Sequence, residues 1–487
     1  MPEATLKSHE WLVEATVSDL QAKMSTGETT SRDVVRAYLE RIALYDKRGP
    51  ALNSVLEVNP EALFIAEALD LERTRKGPRG PLHGIPVLLK DNIDTKDMMH
   101  TSAGSLALAD SYAPQDSFIA KRLREAGAVI LGKGNMTEWA NFMTDHMPNG
   151  YSSRGGQVLN PYGPGAFDVG GSSSGPGAAV AANLTMLAVG TETSGSILNP
   201  ACNNSIVGIK PTVGLVSRSG VIPISHVQDT AGPMARTVED AAILLGVLAG
   251  ADEEDAATWS SVGRCPEDYT EFLDKDGLKG ARLGVARKFY ERLDKERLEI
   301  IEAAEAALRD CGAELVDVPM TPTQGWQTKS LIYEFKPAIN RYLSRLAPEV
   351  PVHSLKELIE FNNSQPEKML KYGQTVLIQS EATSGTLTEP EYIEGRTMEE
   401  RVSRQEGIDR ALRELDLHAL VFPHMLNASI SARAGYPSVT VPAGYAQSGR
   451  PVGITFTGTA YSEPDLIRFA YAFERATRLR RPPSLQA

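Results

Sequence analysis

A cadence of helix, glycine and short apolar strand recurs at distant points along this chain, and few architectures accommodate it. Residues 118–126 read as a helix stopped by Gly127, and residues 128–132 then read as a buried strand. The same order returns with a helix over 298–310, a stop at Gly312 and an extended run over 313–318, preceded by a strand-like run at 282–286. Near the start, Thr30 and Asp33 form a capping-box-like opening, after which Val34, Val35, Tyr38, Leu39 and Ile42 recur at helical spacing. Residues 84–90, Gly-Ile-Pro-Val-Leu-Leu-Lys, are a short apolar run that ends by presenting Lys90 and Asp91. Farther on, Ala419–Pro423, 438–442 and 452–456 read as strands, with a closing helix after them. Helices alternating with apolar strands predict an α/β architecture in which helices cover a sheet.

Two stretches break the cadence. Residues 150–235 are dense in Gly, Ser, Thr, Asn and Pro, yet apolar runs at 178–184 and 186–189 interrupt them. A flexible linker would lack such runs, so the stretch reads as loops built around a site on a rigid scaffold. Residues 321–404 have a helical pattern, more polar and richer in aromatics such as Trp326, Tyr333, Phe335 and Tyr342. They read as an insertion or cap that shapes the pocket, together with the loop 141–156. No fixed-period repeat or linker divides the chain, so residues 1–487 are expected to form one domain, although length alone suggests about three.

Composition excludes several functions. Fifty Lys and Arg against 62 Asp and Glu leave a formal charge of −12, so no domain-wide basic face serves nucleic acid or an anionic membrane. A 42% hydrophobic and 23% charged composition excludes a largely disordered chain. Residues 1–20 have no apolar core, and the most apolar stretches, 177–190 and 241–250, fall short of the roughly 20 residues that span a bilayer. Three widely spaced cysteines without a CxxC pair argue against a disulfide scaffold or a thiolate zinc site. The eight histidines show no HExxH pattern. These features predict a soluble, cytoplasmic protein without a metal.

The chemistry concentrates in two segments, Gly170-Gly171-Ser172-Ser173-Ser174-Gly175-Pro176-Gly177 and Gly190-Thr191-Glu192-Thr193-Ser194-Gly195-Ser196. Gly170 and Gly175 have phosphate-loop spacing, but Pro176-Gly177 stands where that loop needs Lys and Ser or Thr. Residues 171–175 also fit the GxSxG elbow of an α/β-hydrolase esterase, with Ser173 as nucleophile and Asp229 plus His353, His418 or His424 as partners. Against that elbow, a polar loop at 160–168 replaces the preceding strand, and no HGGG-type segment lies upstream. A third chemistry needs no histidine. A lysine kept neutral by burial takes the proton of a serine, and a glycine-rich turn converges N–H groups on an oxyanion. Lys90 at a strand end and the turn 193–196 supply those parts.

Together, 84–92 around Lys90, the Gly-Gly-Ser172-Ser-Ser-Gly segment and the 190–197 segment around Ser196 resemble the amidase signature family of serine hydrolases. Ser196 follows Ser172 by 24 residues, the family's spacing. The resemblance continues through 208–217, 229–238 and 434–444, and the wording is closer to a bacterial peptide-amidase-like branch.

This resemblance implies a single large mixed β-sheet covered by helices on both faces. It implies an amidase that cleaves a carboxamide C–N bond through an acyl-enzyme, with Ser196 as nucleophile and Lys90 as base. Ser172, joined to Gly171 by a cis peptide, would pass protons between them. The backbone N–H groups of Thr193, Ser194, Gly195 and Ser196 would form the oxyanion hole. No cofactor is implied, and the expected partner is a small-molecule amide or peptide-amide substrate. Esters, anilides and carbamates share the tetrahedral intermediate and extend that range; a homo-oligomer stays open.

Two departures bear on substrate. The family's Ile-Arg after the nucleophile is Ile197-Leu198 here, which removes a cation suited to a substrate carboxylate. That counts against the alternative of a glutaminase-type subunit of a tRNA-dependent amidotransferase. Ser194 also stands where the family has Gly. Asn92 and Asp229 read equally as site residues and loop supports, Arg154 and Lys210 as structural or solvated charges, and Cys202 as packing.

Overall fold

Strands that are buried at every position, rather than at alternate ones, need cover on both sides. In the computed structural model, which describes residues 9–320 and 330–485, such strands form the middle of one sheet. Its 11 strands are β1 (Val55–Val58), β2 (Pro86–Lys90), β3 (Val129–Gly134), β4 (Leu187–Glu192), β5 (Val207–Lys210), β6 (Thr230–Ala235), β7 (Arg282–Val285), β8 (Glu314–Asp317), β9 (Ala419–Pro423), β10 (Ser438–Tyr445) and β11 (Pro451–Thr457). Their spatial order is β1-β3-β2-β4-β6-β5-β10-β11-β9-β7-β8. The trio β3, β2, β4 is parallel, and so is β9, β7, β8. Antiparallel pairings join the two groups, which makes the sheet mixed. Every residue of β2, β3, β4, β5, β6, β9 and β11 is buried, with helices around the sheet.

The local signals account for the element ends. The helix Phe118–Glu125 begins at Ser117, whose hydroxyl accepts from the Ala120 N–H, and the chain leaves it through Gly127 at φ 76°. Thr30 accepts from the Asp33 N–H at the start of the helix Ser31–Arg41. The helix expected over 298–310 starts three residues earlier, at Lys295, because Asp294 caps it. Parallel pairing of β2 with β4, Leu89 beside Val189, places Lys90 next to the residues that follow Val189. The sheet thereby brings the two sequence motifs together.

The segment expected to be a helical insertion contains the helices Ser330–Leu343, Leu355–Ser364, Thr375–Glu381 and Pro390–Glu400. Residues 321–329, including Trp326, lie outside the described residues. Phe335, Ile339 and Leu343 share one helix face at four-residue spacing and join a second apolar cluster with Met136, Trp139, Met143, Ile222 and Ile224. That cluster lies apart from the main core and fixes the helical segment onto the loops around 136–147 and 222–224. Among the described residues, no helix is long and apolar enough to cross a membrane.

Candidate active site

Lys90 is the last residue of β2 and is fully buried. Its amine lies 2.8 Å from Ser172 Oγ, 2.8 Å from Thr191 Oγ1 and 3.2 Å from the Thr191 carbonyl. Burial lowers its pKa from 10.5 to about 7, with the carboxylates of Glu192 and Asp229 opposing part of that shift. A neutral amine has two N–H groups and one lone pair. A charged amine fills the three contacts with three N–H groups; on losing a proton it keeps two for Thr191 and frees a lone pair for the Ser172 hydroxyl. Asn92 Nδ2 donates to Thr191 Oγ1 at 3.0 Å, and Asn92 Oδ1 is buried without a partner among the described residues.

Ser172 follows Gly171 through a cis peptide. A Cβ on Gly171 would lie 2.6 Å from Thr137 Oγ1 and 2.7 Å from Asn149 Oδ1, so any other residue there displaces those side chains. The Ser173 N–H donates to the Ser196 carbonyl at 3.1 Å, which ties the two serine segments side by side. Among the described residues the Ser196 hydroxyl makes no hydrogen bond.

The turn 193–196 is held from beneath by Glu192, a buried carboxylate that the sequence reading missed. Its oxygens accept from the N–H groups of Gly195 at 2.7 Å, Ile197 at 2.7 Å and Leu198 at 3.0 Å. This corrects the expected oxyanion set: the Gly195 N–H is engaged by Glu192 and is not available. The N–H groups of Thr193, Ser194 and Ser196 donate to no acceptor among the described residues. Gly195 instead provides the left-handed conformation of the turn, at φ 86°. A signal for Glu192 existed, since it is the one charged residue of the strand Leu187–Glu192.

The remaining candidates fall into place. The Ser173 hydroxyl donates to the Thr191 carbonyl at 3.1 Å and accepts from the Thr191 N–H at 3.3 Å. None of the three histidines reaches it: His353 faces the Leu343 carbonyl, His418 accepts from the Arg282 N–H, and His424 faces Asn203. The GxSxG reading is therefore overturned, because the backbone of β4 occupies the hydroxyl that an elbow would present. Asp229 accepts from the Thr193 hydroxyl at 2.5 Å and from the Ile224 and Ser225 N–H groups at 2.8 Å. Burial raises its pKa from 3.8 to about 6, against those hydrogen bonds and the Arg218 charge. Arg154 pairs with Glu57 at 2.9 Å and Lys210 donates to the Pro211 and Tyr436 carbonyls, so both are structural. Cys202 is buried beside Thr440. A small cavity beside the turn is lined by Asn92, Ala140, Thr193, Ile222, Ile224 and Asp229, and by no residue of the described helical segment 330–404.

Comparison with known proteins agrees with this geometry. The profile of the family described as Amidase matches residues 33–433. A probable amidase of Arabidopsis thaliana is 44% identical over 479 residues, covering 97% of this chain and 92% of its own length. The crystal structure of the native peptide amidase from Stenotrophomonas maltophilia is 48% identical with a TM-score of 0.92, covering 97% of this chain and 99% of that one. A peptide amidase solved in complex with the competitive inhibitor chymostatin is likewise 48% identical with a TM-score of 0.92, over 97% of this chain and 99% of that one. A mixed sheet that sets a buried lysine against a serine, and likeness along nearly the whole chain, lead to one conclusion: the protein belongs to the amidase signature family and is an amide-hydrolysing enzyme.

Proposed function

We propose that the enzyme cleaves a peptidic or small-molecule carboxamide through an acyl-enzyme on Ser196, with Ser172 as proton bridge and Lys90 as base. The observation that carries this reading is the fully buried Lys90 amine, 2.8 Å from Ser172 Oγ in a site that lowers its pKa to about 7. A serine hydroxyl is a weak nucleophile until a base removes its proton. Ser172 gives its proton to Lys90 and takes the proton of Ser196, whose oxygen then attacks the amide carbon. The carbonyl oxygen becomes an oxyanion facing the N–H groups of Thr193, Ser194 and Ser196. The protons return along the same path to the leaving nitrogen, the C–N bond breaks, and water repeats the sequence on the ester. No step requires a cofactor.

Likeness to peptide amidases, one of them solved with a competitive inhibitor, supports a peptidic amide as the substrate class. Residues 1–487 are taken as one amidase domain, a reading supported by a sheet that draws its strands from 55 to 457. Free cysteines and an acidic balance support a reducing, cytoplasmic setting without a nucleic-acid partner. Ser196→Ala is expected to lower amide hydrolysis by about 10³-fold or more. A fluorophosphonate adduct, mapped by mass spectrometry, is expected on Ser196. Full activity in Ser196→Ala, or an adduct elsewhere, sinks the assignment.

A further inference from the structure

Thr193, the first residue of the oxyanion turn, is gripped from outside the turn. Its hydroxyl donates to Asp229 Oδ1 at 2.5 Å, and its carbonyl accepts from Gln228 Nε2 at 3.2 Å. Asp229 and Gln228 are themselves placed by Ser225. The Ile224 and Ser225 N–H groups donate to Asp229 Oδ2 at 2.8 Å, and the Asp229 N–H donates to the Ser225 carbonyl at 3.0 Å. The Ser225 hydroxyl accepts from the Val227 and Gln228 N–H groups, each at 3.1 Å, and donates its single proton to Glu334 Oε2. Its one donor and two acceptor sites are thus all filled.

Glu334 belongs to the helical segment and is fully buried. Tyr392 donates to its other oxygen at 3.1 Å, and the Arg396 guanidinium stands 3.5 Å away, itself paired with Glu399 at 2.7 Å. Ile222 and Ile224, which line the cavity beside the turn, pack in the same apolar cluster as Phe335. Among the described residues, the helical segment thus reaches the loop 222–229 both by this hydrogen-bonded path and by an apolar contact.

We propose that Glu334 is a positioning residue for catalysis, which fixes the direction of the Thr193 N–H through Ser225, Gln228 and Asp229. This rests on the reading of Ser196 as nucleophile and of the turn as its oxyanion site. If the Ser225 proton loses its acceptor, the hydroxyl rotates toward another one. Its lone pairs then leave the Val227 and Gln228 N–H groups, and the grip on Thr193 loosens. An oxyanion donor acts on the transition state and not on the bound substrate, so the loss falls on kcat.

The test is a double-mutant cycle on amide hydrolysis. Glu334→Gln keeps one acceptor oxygen where the carboxylate serves both Ser225 and Tyr392. It is expected to lower kcat by about tenfold with KM within about twofold, and Thr193→Val to do the same. The double variant is expected to lose little beyond either single one, because both break the same path. Glu389→Gln, on the same segment but bonded to the Ser384 N–H, is expected to combine independently with Thr193→Val. Should Glu334→Gln fail to fold, Ser225→Ala reads the same coupling with Thr193→Val. Costs that multiply to about a hundredfold, or a change in KM alone, overturn the path while an inactive Ser196→Ala leaves the nucleophile assignment standing. An active Ser196→Ala overturns the assignment and the path with it.

Discussion

The Lys90 amine makes a prediction at the level of one titration. Its pKa is lowered to about 7 because burial penalises the ammonium form. Below that value the amine carries a third proton and has no lone pair for Ser172; above it the base is ready. The kcat/KM for a neutral amide is therefore expected to rise with pH through a limb near 7 and then level off. Lys90→Ala is expected to lose most of the rate and the limb together. A profile measured in Lys90→Ala that keeps the same limb assigns it to another group. Sequence could single out Lys90, Ser172 and Ser196, the residues of the proposed mechanism, because each sits in a motif that resembles the family's. It could not single out Glu192 and the Gly195 N–H, because which amide a carboxylate takes depends on the turn's conformation and not on residue type.

At the level of elements, the active turn is an N–H-rich loop folded over one carboxylate. Glu192→Gln leaves a single acceptor oxygen for the three N–H groups of Gly195, Ile197 and Leu198. The Gly195 N–H is then expected to compete with the turn's free donors, with kcat falling by about tenfold or more and a loss of about 1–3 kcal/mol in stability by denaturant unfolding. Wild-type kcat in this variant removes Glu192 from the account. The elements themselves were largely readable. Gly127 and Gly312 end helices where expected, and the strand runs appear within a few residues. Strand order was not, since β2, β3 and β4 are parallel neighbours through pairings that no local pattern encodes. The same holds for Ser173: its GxSxG context is real, but tertiary placement turns the hydroxyl toward the β4 backbone.

At the level of the whole molecule, the helical segment is pinned beside the sheet by a buried carboxyl whose pKa is shifted in the direction opposite to that of Lys90. Asp94, buried after β2, accepts from the Tyr342 hydroxyl at 2.8 Å, and burial raises its pKa from 3.8 to about 7. Its folded value is raised, so its contribution to stability is fully present below the unfolded value and is lost as pH rises through the folded one. Asp94→Asn keeps an acceptor for Tyr342 and is expected to raise Tm by more at pH 8 than at pH 5.5. An equal shift at both pH values contradicts a buried carboxyl. The sheet order carries a different consequence, for the newborn chain. β10 and β11, drawn from 438–457, fill the space between β5 at 207–210 and β9, so the earlier half of the sheet leaves the ribosome with β5 as an open edge. At ordinary synthesis rates that edge waits on the order of 10–50 s for its partner. An apolar open edge is a template for aggregation, so the yield of this enzyme in a cell depends on what shelters β5 until β10 arrives.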